Sequence, residues 1–269
     1  MTPHQTLRLL RRMIAINIAG SVVYRANFVF FMLGTIIGPI VSALVWQAAV
    51  ASGAELPVDG SYLMTYFVLL SLVTMLTSSW LANFLADAIR DGRLSVWLAR
   101  PGSFLYELAA NNVAEKVVKL VVLVPMIAIF GLIVRDSLAV DVVAWRWIAV
   151  LASVGMAAII VFACDVIIGA LGFWLEDVSG IAWGQRLLVG LLAGQFVPLA
   201  IMPVWTQTFL QAQPFRYTVS FPLEIVVGNL TSRDMVIGLF VQLAYAALFV
   251  GMAREIWSRG LRSYSAAGA

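Results

Sequence analysis

"AWRWIAVLASVGMAAIIVFACDVIIGALGFWL", residues 144–175, holds one arginine near its start and one aspartate near its middle, and is otherwise almost wholly apolar. A helix rises about 1.5 Å per residue and a hydrocarbon core is about 30 Å thick, so about 20 such residues cross a bilayer. This run exceeds that length, and no strand-type alternation interrupts it. It reads as a membrane-spanning helix.

The rest of the chain has the same character. Of 269 residues, 62% are hydrophobic and 12% charged, and mean hydropathy is +0.96, a composition outside the range of soluble domains. We read an all-α membrane protein with six spans at residues 27–51, 62–85, 117–134, 144–175, 187–202 and 235–253. The fifth is short and contains Pro198, so it is expected to be tilted, broken or continuous with the apolar pieces after it. Cys164, the one cysteine, lies inside the fourth span and excludes an internal disulfide or a thiolate cluster. Residues 1–26 are expected to form a retained amphipathic helix at the interface, because no small-x-small cleavage site follows Arg8, Arg11 and Arg12.

Positive charge sets the expected orientation. With six spans, one side receives Arg8, Arg11, Arg12, Arg25, Arg90, Arg93, Arg100, Lys116, Lys119, Arg186, Arg254, Arg259 and Arg262. The other side receives Arg135, Arg146, Arg216 and Arg233. Basic loops stay in the cytoplasm, so both termini are expected there, with residues 254–269 as a tail.

On this reading residues 86–116 form the longest cytoplasmic loop. After the charged turn "RDGR" at 90–93, Leu94, Val96, Trp97 and Leu98 form an apolar patch, and "ARPG" ends it. From Ser103 the chain can resume as a helix, with Ser103 as N-cap and Glu107 near the positive helix end. Two readings stand: a solvated loop that anchors topology, or a docking element in which exposed Leu94, Trp97 and Phe104 make an apolar centre rimmed by arginines.

Several chemistries are not indicated. A phosphate-binding G-x-x-x-x-G-K-[ST] loop is absent, since Lys116 follows Glu115 and Lys119 follows Val118. His4 is the sole histidine, no G-x-S-x-G elbow occurs, and no metal site, catalytic residue or nucleic-acid partner is expected. Asp165 is the one carboxylate deep in a span, about 15 Å from the end of its helix at ten residues of rise. Such a charge is paired or faces a cavity. It reads either as a hydrogen-bonded structural residue or as a cavity carboxylate that attracts cations.

Two G-x-x-x-G spacings, Gly34 to Gly38 and Gly190 to Gly194, suit close helix approach, with packing inside the bundle favoured over a dimer contact. Residues 203–234, interrupted by Pro203, Pro214 and Pro222, suit short helices in the outer interface, and "NLT" at 229–231 is a formal glycosylation sequon.

Three pieces together carry a family resemblance: "TLRLLRRMIAINI" at 6–18, "IRDGRLSVWLARPGS" at 89–103, and the late set "LLAGQFVPLAIMP", "QPFRY" and "FPLEIVVGNL". Within the second, Gly92, Leu94, Leu98, Arg100 and Pro101 are the most specific. The chain resembles permease subunits of type-2 ABC exporters, in particular the compact bacterial group related to drug and viologen exporters. The resemblance implies a pair of permeases, a second copy or a homologous chain, in the bacterial inner membrane among lipids. It also implies a separate ABC ATPase subunit that carries ATP and Mg, so that this chain binds no cofactor itself. Residues Arg90, Asp91, Gly92, Arg93, Leu94, Trp97, Leu98, Arg100 and Pro101 would couple to that ATPase, and "EDVSGIAWGQR" at 176–186 would be a smaller contact. The substrate would be a small amphiphile, cationic if Asp165 meets it, or a lipid; no glycan-binding aromatic stripe favours polysaccharide. The competing readings are an ATPase-independent secondary transporter that uses Asp165, against which no inverted repeat or broken-helix pair is apparent, and an assembly protein.

Overall fold

A computed structural model describes residues 3–21, 25–53, 56–98, 104–138, 143–228 and 230–264. Those residues are helical, with no strand among them. In chain order the α-helices are α1 (Pro3–Ser21), α2 (Arg25–Ala51), α3 (Gly60–Thr77), α4 (Leu81–Arg90), α5 (Leu94–Leu98), α6 (Phe104–Ile133), α7 (Ala144–Ala170), α8 (Ser179–Leu192), α9 (Val204–Ala212), α10 (Ser220–Val227) and α11 (Ser232–Ser263).

Among the described residues four helical stretches are long and apolar enough to cross a membrane: Gly60–Arg90, Phe104–Ile133, Trp145–Phe173 and Ser232–Ser263. Thr35–Ala51, within α2, is a shorter apolar helix. The fifth expected span, 187–202, is not one helix. Its first residues belong to α8, which stops at Leu192, and Gly194 follows at φ +83°, a left-handed conformation that glycine adopts without a Cβ penalty. The Tyr66 hydroxyl donates to the Gly194 carbonyl at 2.9 Å and fixes this turn against α3. The expected loop 86–116 is also redrawn, because α4 carries the chain to Arg90 and α6 is already helical at Phe104.

Burial ranks the helices. Within their most apolar windows 56% of the residues of the α3–α4 stretch are buried and 11% of those of α6, so α3–α4 is the central stave and α6 lies nearer the edge of the bundle. Around α3, Tyr62, Leu63, Tyr66, Phe67 and Leu70 form one core with Val219 and Leu223 from the α10 region. A second core joins α4, α5, α6, α7 and α11 through Leu85, Ile89, Leu94, Phe104, Val166 and Trp257.

α4 rests directly on α7 because two glycines clear the way. A Cβ on Gly169 would lie 2.8 Å from the Ala82 carbonyl oxygen, and one on Gly172 would lie 2.9 Å from Ala86 Cα. Close approach of small residues is a membrane-helix device, and besides this pair it is served by Gly194 of the second G-x-x-x-G spacing, where a Cβ would lie 2.5 Å from the Tyr66 hydroxyl oxygen. Gly38 has open space beside it, while Gly190 accommodates the Phe196 ring of its own segment.

The proline-rich segment after α8 does form short helices, α9 and α10, joined by a 3₁₀ turn at Pro214–Thr218. They divide in character. α9 exposes Val204, Trp205 and Phe209, whereas α10 is buried from Ser220 to Val226 against α7 and α3. α10 is thus an inserted helix of the core and not part of a surface lid. Gln242 of α11, fully buried, donates to the carbonyls of Ser153 and Tyr217, 2.8 Å each, and ties α7, α11 and the 3₁₀ turn together.

Candidate functional site

The central stave is not continuous: Ser78, Ser79 and Trp80 separate α3 from α4. A break at this point exposes carbonyls at one helix end and N–H groups at the other, each costly to leave unpaired away from water. Both ends are met by charge. Lys116 Nζ of α6 donates to the Ser78 carbonyl at 2.8 Å and to Asn112 Oδ1, and Asn112 Nδ2 adds a longer bond to Ser78 O at 3.4 Å. At the other end Asp165 Oδ2 of α7 accepts the Leu81 N–H at 2.9 Å, with the Ala82 amide also directed to the carboxylate. The signs match the helix dipole, cation at the carbonyl end and anion at the amide end.

A cavity of roughly 240 Å³ opens beside the break. Thr74, Ser78, Trp80, Asp165, Gln185 and Arg186 lie on its wall, with Met75, Val161 and Val189 as apolar patches. Asp165, 2% exposed, lines this cavity as well as capping α4. The Arg186 guanidinium lies over the Trp80 ring at 4.2 Å and near Trp183 at 5.5 Å. The sequence reading gives Trp80 and Lys116 no site role and has Arg186 only as the end of the smaller contact at 176–186. The available signal was "TSS" at 77–79 inside an apolar run, where hydroxyls compete for backbone hydrogen bonds and weaken the helix.

α4 leads from this break to the charged turn, ten residues or about 15 Å away. Arg90 pairs with Asp87 at 2.9 Å and Asp91 at 3.5 Å and donates to the Glu176 carbonyl at 3.2 Å, so it bridges α4 to the segment before α8. Arg93 pairs with Asp91 at 3.3 Å and lies over Phe84. Gly92, at φ +74°, makes the turn.

The apolar patch is not the exposed one expected. Leu94 is 0% and Phe104 3% exposed, and the Trp97 and Phe104 rings meet at 5.3 Å. These side chains turn inward because the ends of α4, α6, α7 and α11 converge there and offer a core, as Leu94 and Phe104 pack with Leu85, Ile89 and Trp257. What α5 leaves outside is Val96 and Leu98, beside Arg90 and Arg93. Ser95 Oγ and Tyr264 Oη, 3.3 Å apart, join α5 to the end of α11. Arg100 and Pro101, with Ser103, fall outside the described residues.

At 176–186 the expected turn is mostly the start of α8, where Asp177 Oδ1 accepts the Ser179 N–H at 2.8 Å. Hydrogen bonds from the Ser179 side chain and backbone hold the Asp177 carboxyl below the usual carboxylate range. No group of three His, Cys, Asp or Glu among the described residues is placed to hold a metal ion.

The described residues thus form a multi-pass helical bundle with a broken central stave and a charged surface turn at one end of it. Residues 59–268 match the family model described as ABC-2 family transporter protein, and the chain belongs to that family, whose members are the membrane translocation components of ABC transporters. No curated protein matches the chain.

Proposed function

We propose that this chain is the permease half of an ATP-driven exporter of the compact bacterial drug- and viologen-exporter-like group. The observation that carries it is α4 itself, one rigid helix with the charged turn at one end and the capped break and cavity at the other. A push on the turn by a partner ATPase, which holds the ATP and Mg, moves α4 against α7 and alters the cavity wall. Arg90, Asp91, Gly92, Arg93 and the exposed Leu98 are the coupling surface, continued by Arg100 and Pro101, while Leu94 and Trp97 anchor α5 from within. The chain sits in the bacterial cytoplasmic membrane with both termini inside, pairs with a second permease, and passes a small amphiphile or lipid. The six-span topology and the interfacial place of α1, which packs along α6, belong to this reading.

Purification of the chain from native membranes in mild detergent tests it. Recovery of a nucleotide-binding subunit whose ATPase rate responds to the permease, and whose response is lost in Arg93→Glu, is the expected result. A homo-oligomer with no ATPase, and ion-gradient-driven flux abolished by Asp165→Asn, would replace it with the secondary transporter.

A further inference from the structure

The charge that the cavity offers a ligand differs from the one Asp165 suggests in isolation, and we propose that the cavity receives the anionic head group of an amphiphile, with Arg186 as its cationic contact. This deepens the permease reading and rests on it for the role of the cavity.

The two charged side chains at the break are already committed. Lys116 is bonded to Ser78 O and Asn112, and Asp165 faces the amide end of α4, whose partial positive charge offsets it. Arg186 differs. Among the described residues no carboxylate lies within ion-pair distance of it. It lies against the Trp80 and Trp183 rings, and its charge acts on Asp165 across the same cavity without an ion pair between the two; a guanidinium stacked on an aromatic face keeps its in-plane N–H fork for a phosphate or carboxylate. Gln185 and Gln195 lie on the same wall.

Size and surroundings supply the other half of the ligand. Roughly 240 Å³ is below the ~300–1,000 Å³ typical of pockets that enclose a drug-sized ligand, so a head group fits and a tail does not. Outside, Trp183, Leu187 and Leu191 follow one another at i, i+4 and i+8 on α8 and are 64%, 59% and 48% exposed. Arg186 lies at i+3 from Trp183, so the fork sits at the edge of that apolar stripe. A phosphate or carboxylate at Arg186 with an alkyl chain along the stripe satisfies both surfaces. A bilayer phospholipid and a transported amphiphile share this chemistry.

The test uses the full chain in phosphatidylcholine nanodiscs, titrated with radiolabelled octyl phosphate, octyltrimethylammonium or inorganic phosphate. Discs without protein serve as the blank that cancels partition into the bilayer, and Arg186→Lys is a second variant should Arg186→Gln fold poorly. The expected result is saturable octyl phosphate binding weakened about tenfold or more by Arg186→Gln, and much weaker binding of inorganic phosphate. Competition by phosphatidylglycerol placed in the disc identifies a bilayer lipid as the occupant; its absence identifies a soluble amphiphile. Octyl phosphate binding that ignores Arg186, or octyltrimethylammonium binding lost in Asp165→Asn, overturns the proposal. No ATPase is present in this assay, so its failure leaves the permease reading standing, and failure to recover an ATPase leaves the anion site standing.

Discussion

Asp165 Oδ2 accepts the main-chain N–H of Leu81 at 2.9 Å, and so a carboxylate in the last turns of α7 holds the first turn of α4. The bond is a cap supplied by a different helix, since Trp80, at the N-cap position, gives no side-chain bond of its own. Replacing Asp165 by Leu strands a buried N–H, a loss of about 1–3 kcal/mol. Asp165→Asn keeps an acceptor oxygen and is expected to lose less. Thermal unfolding in detergent, followed by tryptophan fluorescence, checks the order; equal loss in both variants would assign the effect to charge alone.

Gly169 and Gly172 make the opposite kind of demand, for absence of atoms. A methyl at Gly169 meets the backbone oxygen of Ala82 and the Leu85 side chain inside 3.0 Å, so Gly169→Ala forces α4 away from α7. The expected cost is about 1–3 kcal/mol, the range of overpacked cores. Gly155→Ala, on the same helix with nothing within 4 Å, is the control and should leave the unfolding midpoint nearly unchanged.

The turn after α4 separates folding from coupling. Leu94→Ala empties a site of 0% exposure and is expected to destabilise the chain by about 2–5 kcal/mol. Arg93→Glu breaks a surface pair with Asp91 and a contact over the Phe84 ring, each worth about 0–1 kcal/mol at an exposed site, so the fold persists. On the proposed function, this variant uncouples the partner ATPase while unfolding at an unchanged temperature.

Gln242 binds two carbonyls from separate elements, and Gln242→Leu leaves both without that donor. Hydrogen bonds between membrane helices are worth less than burial suggests, on average about 0.6 kcal/mol and at most about 1.7, because unfolded helices in lipid find partners too. A drop in the unfolding midpoint matching that range is expected.

Arg216 and Glu224 form a pair at 2.5 Å with both side chains largely buried, and Ser220 Oγ donates to the same carboxylate at 2.7 Å. Removing one partner leaves a buried charge, an expected loss of about 3–5 kcal/mol for Arg216→Met. The double replacement Arg216→Met with Glu224→Gln should recover part of it, read in the same thermal assay.

Much of the architecture is legible along the chain because hydrophobic run length and helix breakers are local properties. Residues 144–175 announce a spanning helix by length alone, and α7 fills all but their last few positions. The prolines at 203, 214 and 222 mark short helices, and short helices stand there. Family membership is likewise a property of sequence. Asp165 was conspicuous for the same reason, as a charge amid apolar neighbours.

The break in the central stave belongs to the tertiary structure. A helix opens at Ser78–Trp80 only where its freed backbone groups find new partners. These come from Lys116, 38 residues away, and Asp165, 84 residues from the amide it caps. Leu94 and Phe104 are buried for a related reason, since apolarity along the chain does not say whether lipid, a partner or other helices will cover a side chain. Sequence alone therefore determined that this protein crosses a membrane as helices. Folding in three dimensions decided which helix is broken, which charges are spent on mending it, and which arginine is left facing the cavity, because burial and hydrogen-bond satisfaction are settled between helices that lie far apart in the chain.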